Sequence, residues 1–186
     1  MEVKKITAPL QKEAIENLKS GDKVLLSGTV YTARDAAHAR LVDIIKKREV
    51  FSSDIAEQNL PFDIKDQVIY YVGPTPSKPG KIIGSAGPTT SGRMDIFTPT
   101  LLENGLKGMI GKGFRNYEVI ESIKRNKAVY FAATGGAAAL LASHIISCEV
   151  IAYEDLGCEA IRRLEVKDLP LVIINDCYGN DFYKNN

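Results

Sequence analysis

The chain has 186 residues, 45% of them hydrophobic, which is enough to bury one substantial core. Its 24 basic and 23 acidic residues leave a formal net charge of +1, which excludes a global field for nucleic acid or an anionic membrane. Anion recognition must therefore be local, and one domain over residues 1–186 is expected.

The N-terminal segment MEVKKITAPLQKEAIENLK lacks an apolar signal core, which predicts a cytoplasmic protein. Within it Leu10, Ala14, Ile15 and Leu18 share a helical face, with Pro9 at an early helical position and Gly21 as the stop. Asp22–Tyr31 reads as a strand. Thr32 followed by Asp35 resembles a capping box, opening a helix that turns Ala37, Leu41, Ile44 and Ile45 inward and ends in Lys46, Lys47 and Arg48. Residues 50–64 have a weak pattern, predicting irregular structure or a short helix. Gln67–Val72 is a strand, the proline-rich GPTPSKPG from Gly73 to Gly80 excludes helix, and Lys81–Ser85 is a further short strand.

Thr98 with Pro99 starts a helix, Lys112 closes a glycine-rich one, and Tyr117–Arg125 forms another. Strands at Ala128–Ala133, Val150–Tyr153 and Leu171–Ile174 alternate with helices at Gly136–Ile146 and near Leu156–Arg163. The apolar stretch Ala128–Ile146 is broken by Thr134, Gly135, Gly136, Ser143 and His144, so it reads as strand and helix, not a membrane span. The alternation makes the class α/β.

Cys148, Cys158 and Cys177 are odd in number, without CxxC spacing, and each lies in or beside an apolar run. That favours small buried thiols over a disulfide framework or a metal site in this chain.

The segment with chemistry is Gly84–Asp95, GSAGPTTSGRMD. Gly84, Gly87 and Gly92 permit close backbone approach, Thr89, Thr90 and Ser91 supply hydroxyls, and Arg93 offers a planar fork for a carboxylate or phosphate. Gly87–Met94 nearly matches the phosphate-binding GxxxxGK[ST], but Arg93 replaces the lysine and Met94 the metal-binding hydroxyl, which disfavours a nucleotide. Hydroxyls satisfying a glycine turn's own backbone are the bland alternative.

Other groups give that loop company. Arg34, in the first turn of its expected helix, opposes the macrodipole, so it either pairs with Asp35 or holds a substrate carboxylate. His38 could carry a proton, although a lone helix histidine is more often structural. Lys112, between Gly111 and Gly113, could approach a ligand or simply suit a helix C-terminus. Thr134-Gly135-Gly136 could cap a helix facing an anion.

Four segments in order, TARDAAH, GSAGPTTSGRMD, GLKGMIGKG and ATGGAAALLA, resemble the β subunit, or C-terminal domain, of class I fumarate hydratases and L(+)-tartrate dehydratases. The resemblance covers the chain from about Gly28 onward. It implies a swivelling β/β/α domain, a mixed sheet flanked by helices. It also implies an α subunit carrying a [4Fe-4S] cluster on its own three cysteines, and a probable α2β2 heterotetramer. Thr89 would correspond to the catalytic base, and Arg34, Arg93 and Lys112 to cations that bind a four-carbon dicarboxylate, with no metal ligand in this chain. The implied reaction is hydration of fumarate to L-malate, or alternatively dehydration of tartrate to oxaloacetate. Such chemistry needs a Lewis acid, a proton carrier and fixed cations, and this chain offers the last two. A non-catalytic phosphate- or nucleotide-binding module and a structural subunit with a vestigial pocket are the competing readings.

Overall fold

A computed structural model describes residues 2–50, 59–133 and 137–184. Seven strands run in chain order: β1 (Lys4–Ala8), β2 (Lys23–Thr32), β3 (Val68–Tyr70), β4 (Gly108–Gly111), β5 (Val129–Ala132), β6 (Ile145–Ala152) and β7 (Ile161–Asn175). Between them lie α1 (Lys12–Glu16), α2 (Asp35–Val50), α3 (Thr98–Glu103), α4 (Tyr117–Asn126) and α5 (Ala138–Ser143). The sheet order is β1-β2-β3-β4-β5-β7-β6, with β2 also paired to β7, so β2, β3, β4, β5 and β7 close into a ring. Strands β1 to β5 are mutually parallel, while β7 is antiparallel to β2, β5 and β6. The α/β class with a mixed, helix-flanked sheet agrees with the expectation.

Strand alternation divides the apolar residues between two cores. Val68, Tyr70, Ile110, Val129 and Phe131 join Leu26, Leu164 and Ile173 in one core, which Ile15 of α1 and Leu18 just beyond it cap. Ile69, Tyr71, Met109 and Tyr130 point to the opposite face, under Ala37, Leu41 and Ile45 of α2, Leu101 of α3 and Val119 and Ile123 of α4. A one-residue slip in β3 or β5 would exchange these faces, so burial on both sides fixes the register.

Several sequence expectations need correction. Thr32 does not cap α2. It ends β2, fully buried, where its hydroxyl donates to the Ala160 carbonyl at 3.2 Å and accepts from the Arg162 amide at 2.9 Å. The helix begins three residues later, so Arg34 precedes it and the Arg34 carbonyl accepts the His38 amide at 2.8 Å. Pro9 lies before α1, not in it, and Gly21 stands in the turn into β2. Lys81–Ser85 is not a strand; the segment folds back so that Ser85 donates its amide to Thr75 Oγ1 at 2.9 Å. Lys112 follows β4 instead of ending a helix, because Gly108–Gly111 pairs with β3 and β5 and is buried on both faces. Residues near Leu156–Arg163 form a 3-10 turn at Glu154–Glu159, broken at Gly157, and then enter β7. Helix α5 stops at Ser143, and Ile145 already belongs to β6. Of the 50–64 stretch, 51–58 lie outside the described residues, as do Thr134-Gly135-Gly136; Val50 ends α2 and 59–64 are irregular, as the weak pattern allowed. Only Cys177 is buried; Cys148 is half-buried and Cys158 exposed.

The long connection from β3 to α3 is held by buried polar contacts. Asp95 accepts Arg115 Nε at 2.7 Å on one oxygen and the Asn116 amide at 2.8 Å on the other. Arg115, whose side chain is wholly buried, also donates to Thr98 Oγ1 at 2.6 Å and to the Tyr71 hydroxyl at 3.2 Å. Burial works against its charge, but Tyr71 and Asp95 outweigh it and raise Arg115 above the ordinary guanidinium range. Nearby, His38 is fully buried against Tyr71, with ring centroids 5.1 Å apart. Its Nδ1 lies 2.9 Å from the Arg34 carbonyl, an acceptor only, so Nδ1 carries the proton and Nε2 a lone pair that has no partner among the described residues. Burial first, and then the Arg115 charge, pull His38 down to about 4.

Replacing Arg115 with Met should cost about 3–5 kcal/mol, because Asp95 is left charged and unpaired in the interior; chemical denaturation measures it. His38 supplies a pH test. Its folded pKa of about 4 lies below its ordinary 6.5, so the folded state binds fewer protons. The stability this confers is complete above the ordinary value and is lost as pH falls toward the folded one, in total about 3 kcal/mol. Unfolding free energies of wild type and His38→Gln across that window should diverge accordingly.

Candidate functional site

Three connections leave the carboxyl ends of parallel strands β2, β3 and β4 side by side, the place where open α/β sheets present ligand sites. Arg34 stands two residues beyond β2, Gly73 three beyond β3, and Lys112 directly after β4. The loop GSAGPTTSGRMD is laid against the ends of β3 and β4. Thr89 donates its amide to the Tyr71 carbonyl at 2.7 Å, and its own carbonyl accepts the Lys112 amide at 3.2 Å. Ser91 then donates its amide to the Lys112 carbonyl at 2.8 Å, so Thr90 and Lys112 form a parallel bridge. Thr89 and Lys112, 23 positions apart in sequence, are therefore held by adjacent hydrogen bonds.

Side chains fix this strip from beneath. The Tyr130 hydroxyl gives its proton to the Gly113 carbonyl at 2.9 Å, which leaves Ser91 Oγ, also 2.9 Å away, to donate to Tyr130. Burial pushes the Tyr130 phenol well up, so it stays protonated. Gly111 is required here, since a Cβ would lie 2.0 Å from Ser91 Oγ. Beyond Ser91 the chain turns through a 3-10 segment, Ser91–Met94, that buries Met94 and leaves Arg93 exposed.

The two arginines meet through a carboxylate. Arg93 donates Nε to Asp35 Oδ1 at 2.9 Å, and its Nη2 lies 2.9 Å from Asp35 Oδ2. Arg34 Nε is 4.0 Å from the same Oδ2, and Arg34 Nη2 is 3.2 Å from Glu159 Oε1. Glu159 is tied to α2 as well, accepting the Ala36 amide at 3.3 Å. Gly73 leaves room for Arg34, because a Cβ there would sit 2.9 Å from Arg34 Nη1. Among the described residues the Lys112 ammonium and the Thr89 hydroxyl have no partner.

The structure thus brings Arg34 and Arg93 together on Asp35, and Thr89 and Lys112 together on adjacent backbone. Sequence reading caught Asp35 as a capping-box acid and as a partner of Arg34, not of Arg93, and missed Glu159, Gly73, Asp95 and Arg115. These act through partners 17 to 125 positions away, and local periodicity carries no trace of such pairs. His38 is fully enclosed in the core beneath α2, the structural alternative that its sequence context left open. No group of three or more His, Cys, Asp or Glu side chains able to hold a metal ion occurs among the described residues. None of the described helices is long and apolar enough to cross a membrane.

Comparison with known proteins follows this geometry. A relative from Escherichia coli K12, named the anaerobic class I fumarate hydratase, is 40% identical over 164 residues, covering 87% of this chain but 28% of that protein. Fumarate hydratase 2 of Leishmania major is 34% identical, covering 92% of this chain and 29% of its own length. The chain therefore spans less than a third of these fumarate hydratases. A Methanocaldococcus jannaschii protein, provisionally named L(+)-tartrate dehydratase subunit beta, is 35% identical over 94% of this chain and 88% of its own length. The family model described as Fumarase C-terminus matches residues 2–186, and the chain belongs to that family.

Proposed function

We propose that this chain supplies the carboxylate-binding half of a hydro-lyase that interconverts fumarate and L-malate, working with a cluster-bearing α partner in an α2β2 assembly. The observation that carries this reading is the convergence of Arg34, Arg93, Lys112 and Thr89 at the carboxyl ends of adjacent parallel strands. The names of the relatives support the reaction class. A name that specifies a beta subunit supports a partner.

The described cysteines do not fit a cluster: Cys177 is buried in the ring core, while Cys148 is half-buried and Cys158 exposed. The reading therefore assigns the [4Fe-4S] group to the partner and derives from this chain only what its own residues do. With Nε donating to Asp35 and Nη2 in ion-pair contact with it, the end of the Arg93 guanidinium that carries Nη1 is the face left for a substrate carboxylate. Arg34 and Lys112 add fixed positive charge. When a proton leaves the carbon next to that carboxylate, negative charge grows on its oxygens, and cations already in place stabilise it without reorganisation. Thr89 is the group proposed to exchange that proton. A hydroxyl is a weak base at neutral pH, so its role depends on nearby cations stabilising the deprotonated form.

Tartrate dehydration is the second reading. It is favoured by the 88% coverage of the tartrate dehydratase beta subunit, against 28% of the fumarate hydratase. Turnover assays with both substrates separate the two. A nucleotide module would instead bind ATP and ignore L-malate in calorimetry.

The chain purified alone should show no turnover, and anaerobic assembly with a cluster-bearing partner should restore fumarate hydration. Turnover by the isolated chain without a cluster would contradict the assignment. In the assembled enzyme Arg93→Ala should lower kcat/KM by about 10²–10³ with assembly intact; unchanged kinetics would remove Arg93 from the site.

A further inference from the structure

We infer that Asp35 is the positioning residue of the cation site, setting the Arg93 guanidinium by its side edge so that the end edge faces a ligand carboxylate. The inference rests on the proposed reading that the site binds a dicarboxylate.

The geometry is specific to the edge used. Asp35 Oδ1 accepts the Nε hydrogen at 2.9 Å, and Oδ2 lies in ion-pair contact with Nη2 at 2.9 Å without completing a second hydrogen bond, which places the carboxylate along the side edge of the fork. Nη1 and the outer hydrogen of Nη2 make up the end edge, and they have no partner among the described residues. A guanidinium has two carboxylate-matching edges, so one acid can orient it while the other edge binds a second acid. Arg93 itself is half exposed, on a short 3-10 turn, and could otherwise rotate freely. Asp35 is the first residue of α2, so its carboxylate is held by a sixteen-residue helix and not by a loop. Its placement in the first turn also suits the helix dipole.

Oδ2 does a second job. It stands 2.9 Å from Arg93 Nη2 and 4.0 Å from Arg34 Nε, which places negative charge between two guanidiniums that would otherwise repel. Glu159 completes the arrangement from the far side of Arg34 at 3.2 Å. Two acids therefore define where two cations point, and both are attached to the first turn of α2.

The test uses the full-length chain titrated with L-malate, followed by arginine Nε–H resonances and calorimetry. Wild type should show an Arg93 Nε–H protected from solvent exchange that stays put while malate binds. Asp35→Asn should lose that protection and weaken malate about tenfold, with its melting temperature unchanged. Asp35→Glu, which keeps the charge one methylene further out, should recover most of both effects. In the assembled enzyme the loss should fall on KM more than on kcat. If Arg93→Ala abolishes malate binding while Asp35→Asn binds as wild type does, the positioning role is overturned and the site reading survives. If Arg93→Ala also binds malate normally, or wild type does not bind it, the site reading falls and the inference with it.

Discussion

The buried ion pair between Asp95 and Arg115 is the constraint on which the site depends. Desolvating both charges is costly, and the cost is offset only because Arg115 also reaches Thr98 and Tyr71 while Asp95 takes a backbone amide. Each partner closes one wall of the site. Asp95 ends the loop that carries Thr89 and Arg93, and Arg115 ends the segment that carries Lys112. The same contacts start α4, where Asn116 caps the helix by accepting the Val119 amide at 2.8 Å. The loop, whose regular structure is limited to a 3-10 turn and one bridge, is thereby anchored at its C-terminal end.

Topology supplies the rest. Parallel β2, β3 and β4 deliver their following residues to one edge, so cations far apart in sequence become neighbours without long side-chain excursions. Closing the ring through β7 buries the opposite faces of these strands in a second core. Charge is balanced locally: the cations face Asp35 and Glu159 instead of one another. Among the described residues Lys112 has no such acid.

Much of this architecture was legible in the sequence where periodicity was strong. Helix α2 was readable from Ala37, Leu41, Ile44 and Ile45, all buried as expected, and β5 from an unbroken apolar run. It failed where strands were short or amphipathic. Gly108–Gly111 carries glycine at both ends and resembles a helix terminus, yet pairing on both sides makes it a strand. In β7 the charged Arg163, Glu165 and Lys167 alternate with buried Leu164 and Val166, so only the apolar end at Leu171–Ile174 stood out. Thr32 looked like a cap because its hydroxyl is a good acceptor, and it does accept an amide, but from Arg162 across the sheet. The candidate site was visible as a motif because glycines, hydroxyls and Arg93 are contiguous in one loop. Asp35, Glu159 and Arg115 were not, since what they do is decided by partners that only the folded chain brings near.

The most direct measurement is a crystal structure of the assembled enzyme with a dicarboxylate bound. The account predicts one carboxylate on the end edge of Arg93 with Asp35 still on the side edge, and the Lys112 ammonium and Thr89 hydroxyl in contact with the same molecule. A dicarboxylate bound elsewhere, such as the cavity of about 610 Å³ between Thr75 and Arg162, with Arg93 untouched, would contradict it.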